Sequence, residues 1–196
     1  MDGLKHDNTV GSLTEIQQSL VIGSLLGDGY MSCKTHAYLK ICHSIHQKQY
    51  VDWKYSFLSP FVLTKPKTYK GNGSRIGYRF CTQSLGIFTK YFHEFYDEQK
   101  HKYIPRSLRL TPFSLAIWFM DDGAQNRKSV YFNTQQFSGE DQKFLLECLR
   151  TQFGLEGNLN KDKSYLRIRL YQESAQRLKK LIQPLMPEFM QYKLPL

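Results

Sequence analysis

Two aspartates 94 residues apart, each followed by glycine, sit in the same local setting. Asp28-Gly29 closes an apolar run that begins at Val21, and Asp122-Gly123 closes another that begins at Leu115. The last turn of a helix exposes carbonyl oxygens and carries partial negative charge, so a carboxylate there is repelled by roughly 0.3–1 kcal/mol. A divalent cation reverses that sign. The carboxylate attracts it, a nearby carbonyl can bind it directly, and hard ions such as Mg²⁺ take oxygen ligands of this kind. Asp28 and Asp122 are therefore candidate metal ligands, with the Gly27 carbonyl as a further candidate. If the two helices pack side by side, both carboxylates emerge at one end, where they must be offset by metal or pushed toward protonation. Gly23 and Gly27 share one helix face and would let another backbone approach.

The surrounding elements repeat as well. Ser12-Leu13-Thr14-Glu15 has the spacing of a capping box ahead of the first apolar helix. Residues 38–44 alternate as a strand, with Leu39, Ile41 and His43 on one face. Residues 47–58 read as a helix, residues 65–70 and 75–83 as a hairpin around Gly71-Asn72-Gly73, and residues 85–96 as a helix. Thr111-Pro112 starts the second round as an N-cap with proline at the first helical position. A strand over 128–135 follows, then a helix over 138–153 closed by Gly154, a hairpin of 156–160 and 164–171, and a helix over 173–182. This predicts an α+β chain of two similar halves, residues 1–100 and 112–196, joined by a linker over 101–111.

The 196-residue chain carries 27 Lys and Arg against 17 Asp and Glu, for a net charge of +10. Residues 1–110 hold 15 basic against 8 acidic groups and residues 111–196 hold 12 against 9, so the excess is not a detachable tail. A folded, basic chain points to a polyanion, nucleic acid before membrane. Cys33, Cys42, Cys81 and Cys148 show no CxxC spacing, so they signal no structural zinc and read as free thiols in a reducing compartment. His43 and His46, three apart at a strand end, read as surface polar groups that would not converge on one metal. Residues 1–12 are polar and lack a secretory signal's apolar core, and no apolar run of about 18 residues exists to span a membrane. An intracellular location follows as the expectation, in a bacterial or phage cytoplasm or an organelle.

Val21-Ile22-Gly23-Ser24-Leu25-Leu26-Gly27-Asp28-Gly29 and Leu115-Ala116-Ile117-Trp118-Phe119-Met120-Asp121-Asp122-Gly123 both resemble the signature of the LAGLIDADG homing endonucleases. Tyr103-Ile104-Pro105 and Tyr192-Lys193-Leu194-Pro195 extend the resemblance toward the intron-encoded, single-chain members with two motifs. It implies αββαββα halves, motif helices at the centre, and sheets forming a saddle over double-stranded DNA. It also implies a monomer that cuts both strands and leaves 5′-phosphate and 3′-hydroxyl ends. Asp28 and Asp122 would hold Mg²⁺ or Mn²⁺, with Asp121 in the second motif a further candidate ligand and Ca²⁺ able to occupy the site without supporting cleavage. Lys102 and Lys193 match the basic residues near each active site, and Gln47 and Asn160 are candidates for positioning water.

Outward strand residues would read the target, since a two-stranded ribbon fits the major groove and Arg bonds guanine while Asn or Gln bonds adenine. The candidates are Lys40, Lys65, Lys67, Arg75, Arg79 and Gln83 in the first half. In the second they are Tyr131, Asn133, Gln135, Lys163, Tyr165, Arg167 and Arg169. The halves differ here, so the target should be long and only partly palindromic. Two further readings remain open on the same fold: a maturase that binds intron RNA, and a catalytically silent DNA-binding protein. Retention of both motif aspartates favours cleavage. An intein is disfavoured, because no splicing segments flank the endonuclease-like region.

Overall fold

The computed structural model describes residues 12–71, 73–126, 129–162 and 164–195. The first half runs α1 (Glu15–Leu26), β1 (Tyr30–Cys33), β2 (Ala37–Ser44), α2 (Lys48–Leu58), β3 (Lys67–Lys70), β4 (Ile76–Cys81) and α3 (Gly86–Phe95). The second runs α4 (Pro112–Asp122), β5 (Gly123–Asn126), β6 (Ser129–Phe132), α5 (Gly139–Phe153), β7 (Gly157–Asp162), β8 (Tyr165–Leu170) and α6 (Gln172–Ile182). Each half is thus αββαββα, with an antiparallel sheet of order β1-β2-β4-β3 in one and β5-β6-β8-β7 in the other.

Two short strands had no legible sequence pattern. β1 and β5 are four residues each, too short and too polar to alternate, and they are fixed by pairing, Met31 opposite Leu39 and Ala124 opposite Tyr131. The first helix also begins two residues later than its expected cap. Thr14 is the N-cap, its hydroxyl accepting from the Gln17 N–H while the Gln17 carboxamide accepts from the Thr14 N–H. Gln17 wins over Glu15 because it also donates to the Phe57 carbonyl of α2 at 2.9 Å. Other boundaries follow their chemistry: Thr111 caps α4 with Pro112 at its first position, and α5 runs from its Ser138 cap to Gly154, which is left-handed at φ 63°. Residues 101–111 pack against the core rather than hanging free, with Ile104, Leu108 and Leu110 buried.

α1 and α4 lie against each other through the middle of the molecule. Leu20, Val21, Leu25, Leu26, Leu115, Ile117, Trp118 and Phe119 are fully buried. At about 1.5–3 kcal/mol for each such side chain, this seam outweighs the capping bonds at its ends. The glycine spacing does what the sequence suggested: a Cβ at Gly23 would lie 2.4 Å from the Ser114 carbonyl oxygen and 2.6 Å from Ile117 Cβ. The Thr111 hydroxyl also donates to Ser19 across the seam at 2.9 Å. Gly23→Ala should therefore cost at least about 2 kcal/mol through overpacking against backbone. Chemical denaturation would show it, and an unchanged midpoint would mean the helices separate easily.

Candidate metal centre and nucleic-acid face

At the C-terminal ends of α1 and α4 the chain turns straight into β1 and β5, which aims Asp28 and Asp122 at the same end of the seam. The Gly29 N–H returns to the Ser24 carbonyl at 2.7 Å, and the Asn133 N–H to the Asp122 carbonyl at 3.0 Å. Asp28 remains about half exposed, its side chain at 49%. Its pKa is raised by loss of solvent and then by Asp121. Asp122 is pushed up to about 8, by burial first and then by the charges of Asp28 and Asp121. Burial, before the neighbouring charges, is what disfavours the ionised form of Asp28 and Asp122.

The repeat pairs Asp121 with Gly27, and a Cβ at Gly27 would lie 2.4 Å from Asp121 Cβ. The Asp121 side chain has no exposed surface and is already spoken for. Its oxygens accept from the Lys54 ammonium at 2.7 and 2.9 Å, from the Tyr50 hydroxyl at 2.8 Å, and from the Asp28 N–H at 3.3 Å. Burial alone would raise its pKa, but Lys54, His43 and these hydrogen bonds hold it below the usual carboxylate value. Lys54 itself has no exposed side-chain surface. Sequence reading missed Lys54 and Tyr50, although Tyr50, Lys54 and Leu58 recur every four residues on the buried face of α2, and a lysine in such a stripe is a signal.

His43 overturns its expected surface role. It is buried on the inner face of β2 beside Leu39 and Ile41, with Nδ1 3.4 Å from Asp28 Oδ2 and Nε2 3.8 Å from Asp121 Oδ1. Burial pulls its pKa down to about 4. The alternation that placed it with two aliphatic residues already pointed inward. His46 is exposed. Asp28, His43 and Asp121 form a group whose ligand atoms lie within 4.8 Å of one another.

Both candidate lysines reach the centre. Lys102 donates to the Gly29 carbonyl at 2.8 Å and to Gly27 at 3.5 Å, and Lys193 donates to the carbonyls of Met120 at 2.6 Å and Asp121 at 3.2 Å. Each cation thus meets a helix C-terminus. Desolvation lowers both pKa values, that of Lys102 to about 8. The water-positioning candidates divide. Gln47 lines an open groove of about 940 Å³ with Asp28 and His43. Asn160 lies on β7, the far edge of its sheet, opposite Arg167 and among the outward-facing residues. The amide that does touch Asp122 is Gln136, whose Nε2 lies 3.4 Å from Oδ2 and 3.1 Å from the Leu26 carbonyl. It follows the strand in a turn, where no periodicity marks it.

The raised Asp122 pKa has a consequence for stability. A carboxyl with folded pKa near 8 and an ordinary value of 3.8 contributes stability below 3.8 that is lost as pH rises through about 8. In EDTA, Asp122→Asn should melt about 2–8 °C above the parent at pH 9, with the gap closing toward pH 4. Equal melting temperatures across that range would show that the site tolerates the ionised carboxyl.

Outside the centre, the sheets present the expected basic faces. Register places Lys40, Lys67 and Arg79 on one face of the first sheet, opposite buried Leu39, Ile41 and Phe80. On the second, Tyr131, Asn158, Arg167 and Arg169 share a face opposite Val130, Ile168 and Leu170. Arg79 stacks over Tyr69 and Arg167 over Tyr131, with guanidinium carbons 4.5 and 4.2 Å from the ring centres. Arg169 donates to the Ser129 hydroxyl. Tyr165 is 58% exposed at the start of β8. Lys65 and Arg75 are exposed just before β3 and β4, Gln83 is half-buried just past β4, and Asn133 and Gln135 follow β6. Lys163 lies outside the described residues. All four cysteines are free, and no helix among the described residues is long and apolar enough to cross a membrane.

Comparison with known proteins agrees with this arrangement. The sequence pattern of the LAGLIDADG DNA endonuclease family matches residues 18–178. The chain is 28% identical to the cytochrome b mRNA maturase bI2 of Saccharomyces cerevisiae across 96% of its own length, but spans only about half, 49%, of that protein. It is 28% identical to a probable intron-encoded endonuclease 1 of Wickerhamomyces canadensis, covering 93% of this chain and 85% of that one. Among solved structures it resembles the homing endonuclease I-WcaI bound to its DNA recognition sequence, with 27% identity and a TM-score of 0.86 over 94% of this chain and 88% of that one.

Proposed function

Because the chain belongs to the LAGLIDADG DNA endonuclease family, we propose that it is a site-specific homing endonuclease that hydrolyses both strands of a long, partly asymmetric DNA target with a divalent metal. The observation that carries this reading is the pair of packed helices whose C-terminal ends present Asp28 and Asp122, together with a basic face on the sheet of each half. The donor set suits a hard cation: carboxylate oxygens beside helix-end carbonyls, and an Asp122 carboxyl whose charge is disfavoured first by burial and then by the charges of Asp28 and Asp121. Asp28 and Asp122 would hold Mg²⁺ or Mn²⁺, and the bound ion would activate water and neutralise the phosphate and the leaving oxygen.

The protein's own groups do the rest. Asp121, neutralised by Lys54, anchors the Asp28 backbone and does not compete for the ion. Lys102 and Lys193 stand at the helix ends, where each can meet a scissile phosphate. The basic sheet faces hold the duplex in register, with Arg, Asn and Gln at base edges and the lysines on phosphates. Two motifs in one chain make a monomer sufficient. Four free thiols suit a reducing, DNA-bearing compartment.

Cleavage of a random duplex library with Mg²⁺, and again with EDTA, tests the proposal. Enrichment of one long, metal-dependent cut site supports it. Absence of cutting alongside tight binding to a structured intron RNA would favour a maturase, a reading that the similarity to bI2 supports. Lys102→Ala and Lys193→Ala should each slow cutting about 10²–10³-fold with little loss of binding. Wild-type single-turnover rates would return them to structural caps on helix ends.

A further inference from the structure

We propose that His43 is a direct ligand of the cation held at Asp28, giving that carboxylate's side of the site an imidazole donor that the Asp122 side lacks. This rests on the metal reading of Asp28 given above. The imidazole is 3% exposed, and its Nδ1 lies 3.4 Å from Asp28 Oδ2, a separation that two ligands of one ion can share. Its other nitrogen, Nε2, is buried without a hydrogen-bond partner and stands 3.8 Å from Asp121 Oδ1. Ligating histidines characteristically turn their second ring nitrogen toward a carboxylate, which fixes the ring and its tautomer. Asp121 is placed to serve in that way. Its own oxygens are held by Lys54 and Tyr50, so it orients the ring without entering the ion's ligand set. The Tyr50 ring packs against the imidazole, their centres 5.2 Å apart.

The second half is built differently at the same place. Tyr30, two residues after Asp28, pairs with Lys40, and Ala124, two residues after Asp122, pairs with Tyr131. Three residues further along, His43 therefore corresponds to Thr134, a fully buried hydroxyl. Gln136 adds an amide near Asp122. Imidazole favours Mn²⁺, Co²⁺ and Zn²⁺ over Mg²⁺ relative to an all-oxygen set. Metal binding that depends on Asp28 should consequently respond to a change of cation more than an all-oxygen site would.

Mn²⁺ bound to the full chain, with ¹⁴N- and then ¹⁵N-labelled histidine, gives a readout independent of cleavage. Pulsed EPR should show a directly coordinated histidine nitrogen whose frequency changes with the isotope. The signal should vanish in His43→Gln and persist in His46→Gln, which alters the exposed histidine of the same groove. His43→Gln should also weaken Mn²⁺ binding at this position about tenfold, while Mg²⁺ binding moves by less than about twofold. Mn²⁺ bound in an Asp28-dependent way without histidine coupling overturns this inference and leaves the metal reading standing. Binding unaffected by Asp28→Asn overturns the metal reading itself.

Discussion

Asp28→Asn and Asp122→Asn should each abolish double-strand cleavage while leaving DNA affinity within a few fold. A carboxylate that holds a catalytic cation contributes several kcal/mol to the transition state, and each 1.36 kcal/mol is a factor of ten in rate, so a loss of about 10³-fold or more is expected. Binding should survive because the sheet faces proposed to grip the duplex share no residue with the helix ends. The amide is nearly isosteric, and at Asp122 it removes a charge that burial disfavours. The folded state should therefore lose nothing. Strand-resolved single-turnover assays beside gel-shift titrations would check both halves of the statement. A mutant that still cuts both strands at the parental rate would remove the carboxylates from the mechanism.

Lys54→Met should be the most damaging single change away from the reacting groups. Lys54 and Asp121 form an ion pair with no exposed side-chain surface on either partner. Removing the ammonium leaves a buried carboxylate with only the Tyr50 hydroxyl and the Asp28 N–H, and breaking such a pair typically costs about 3–5 kcal/mol. For a chain of this size that is a fall in melting temperature of roughly 6–20 °C. The double variant Lys54→Met/Asp121→Asn should regain most of the loss, because an amide oxygen can still accept from Tyr50 and no charge is stranded. Equal destabilisation in the single and double variants would mean that packing around the lysine stem matters more than the charge.

These two predictions differ in how visible their residues were beforehand. Asp28 and Asp122 could be found because a repeated Asp-Gly after an apolar helix is a local pattern. Leu39 and Ile41 could be assigned to one face of their strand because alternation is local too. The Lys54–Asp121 pair joins residues 67 positions apart and exists only because α2 lies beside α4 near the seam. His43 was misplaced for a related reason. Its position in the strand pointed inward, but its polarity suggested water, and only the carboxylates of two other elements explain how it is accommodated. Gln136 belongs to a turn, where composition carries no direction. β1 and β5 were hidden because four residues cannot display a period.

The pairing of Gly27 with Asp121 makes the two halves of the seam lock and key rather than mirror images. A C-terminal half facing a copy of itself would bring two Asp121 side chains into the space that only a glycine leaves open, with no Lys54 to neutralise either. An N-terminal half facing its copy would leave two buried lysines without a carboxylate. If the halves are expressed as separate polypeptides, mixed assembly should be the only low-energy choice, and this one position would serve as the address tag that keeps unlike halves together.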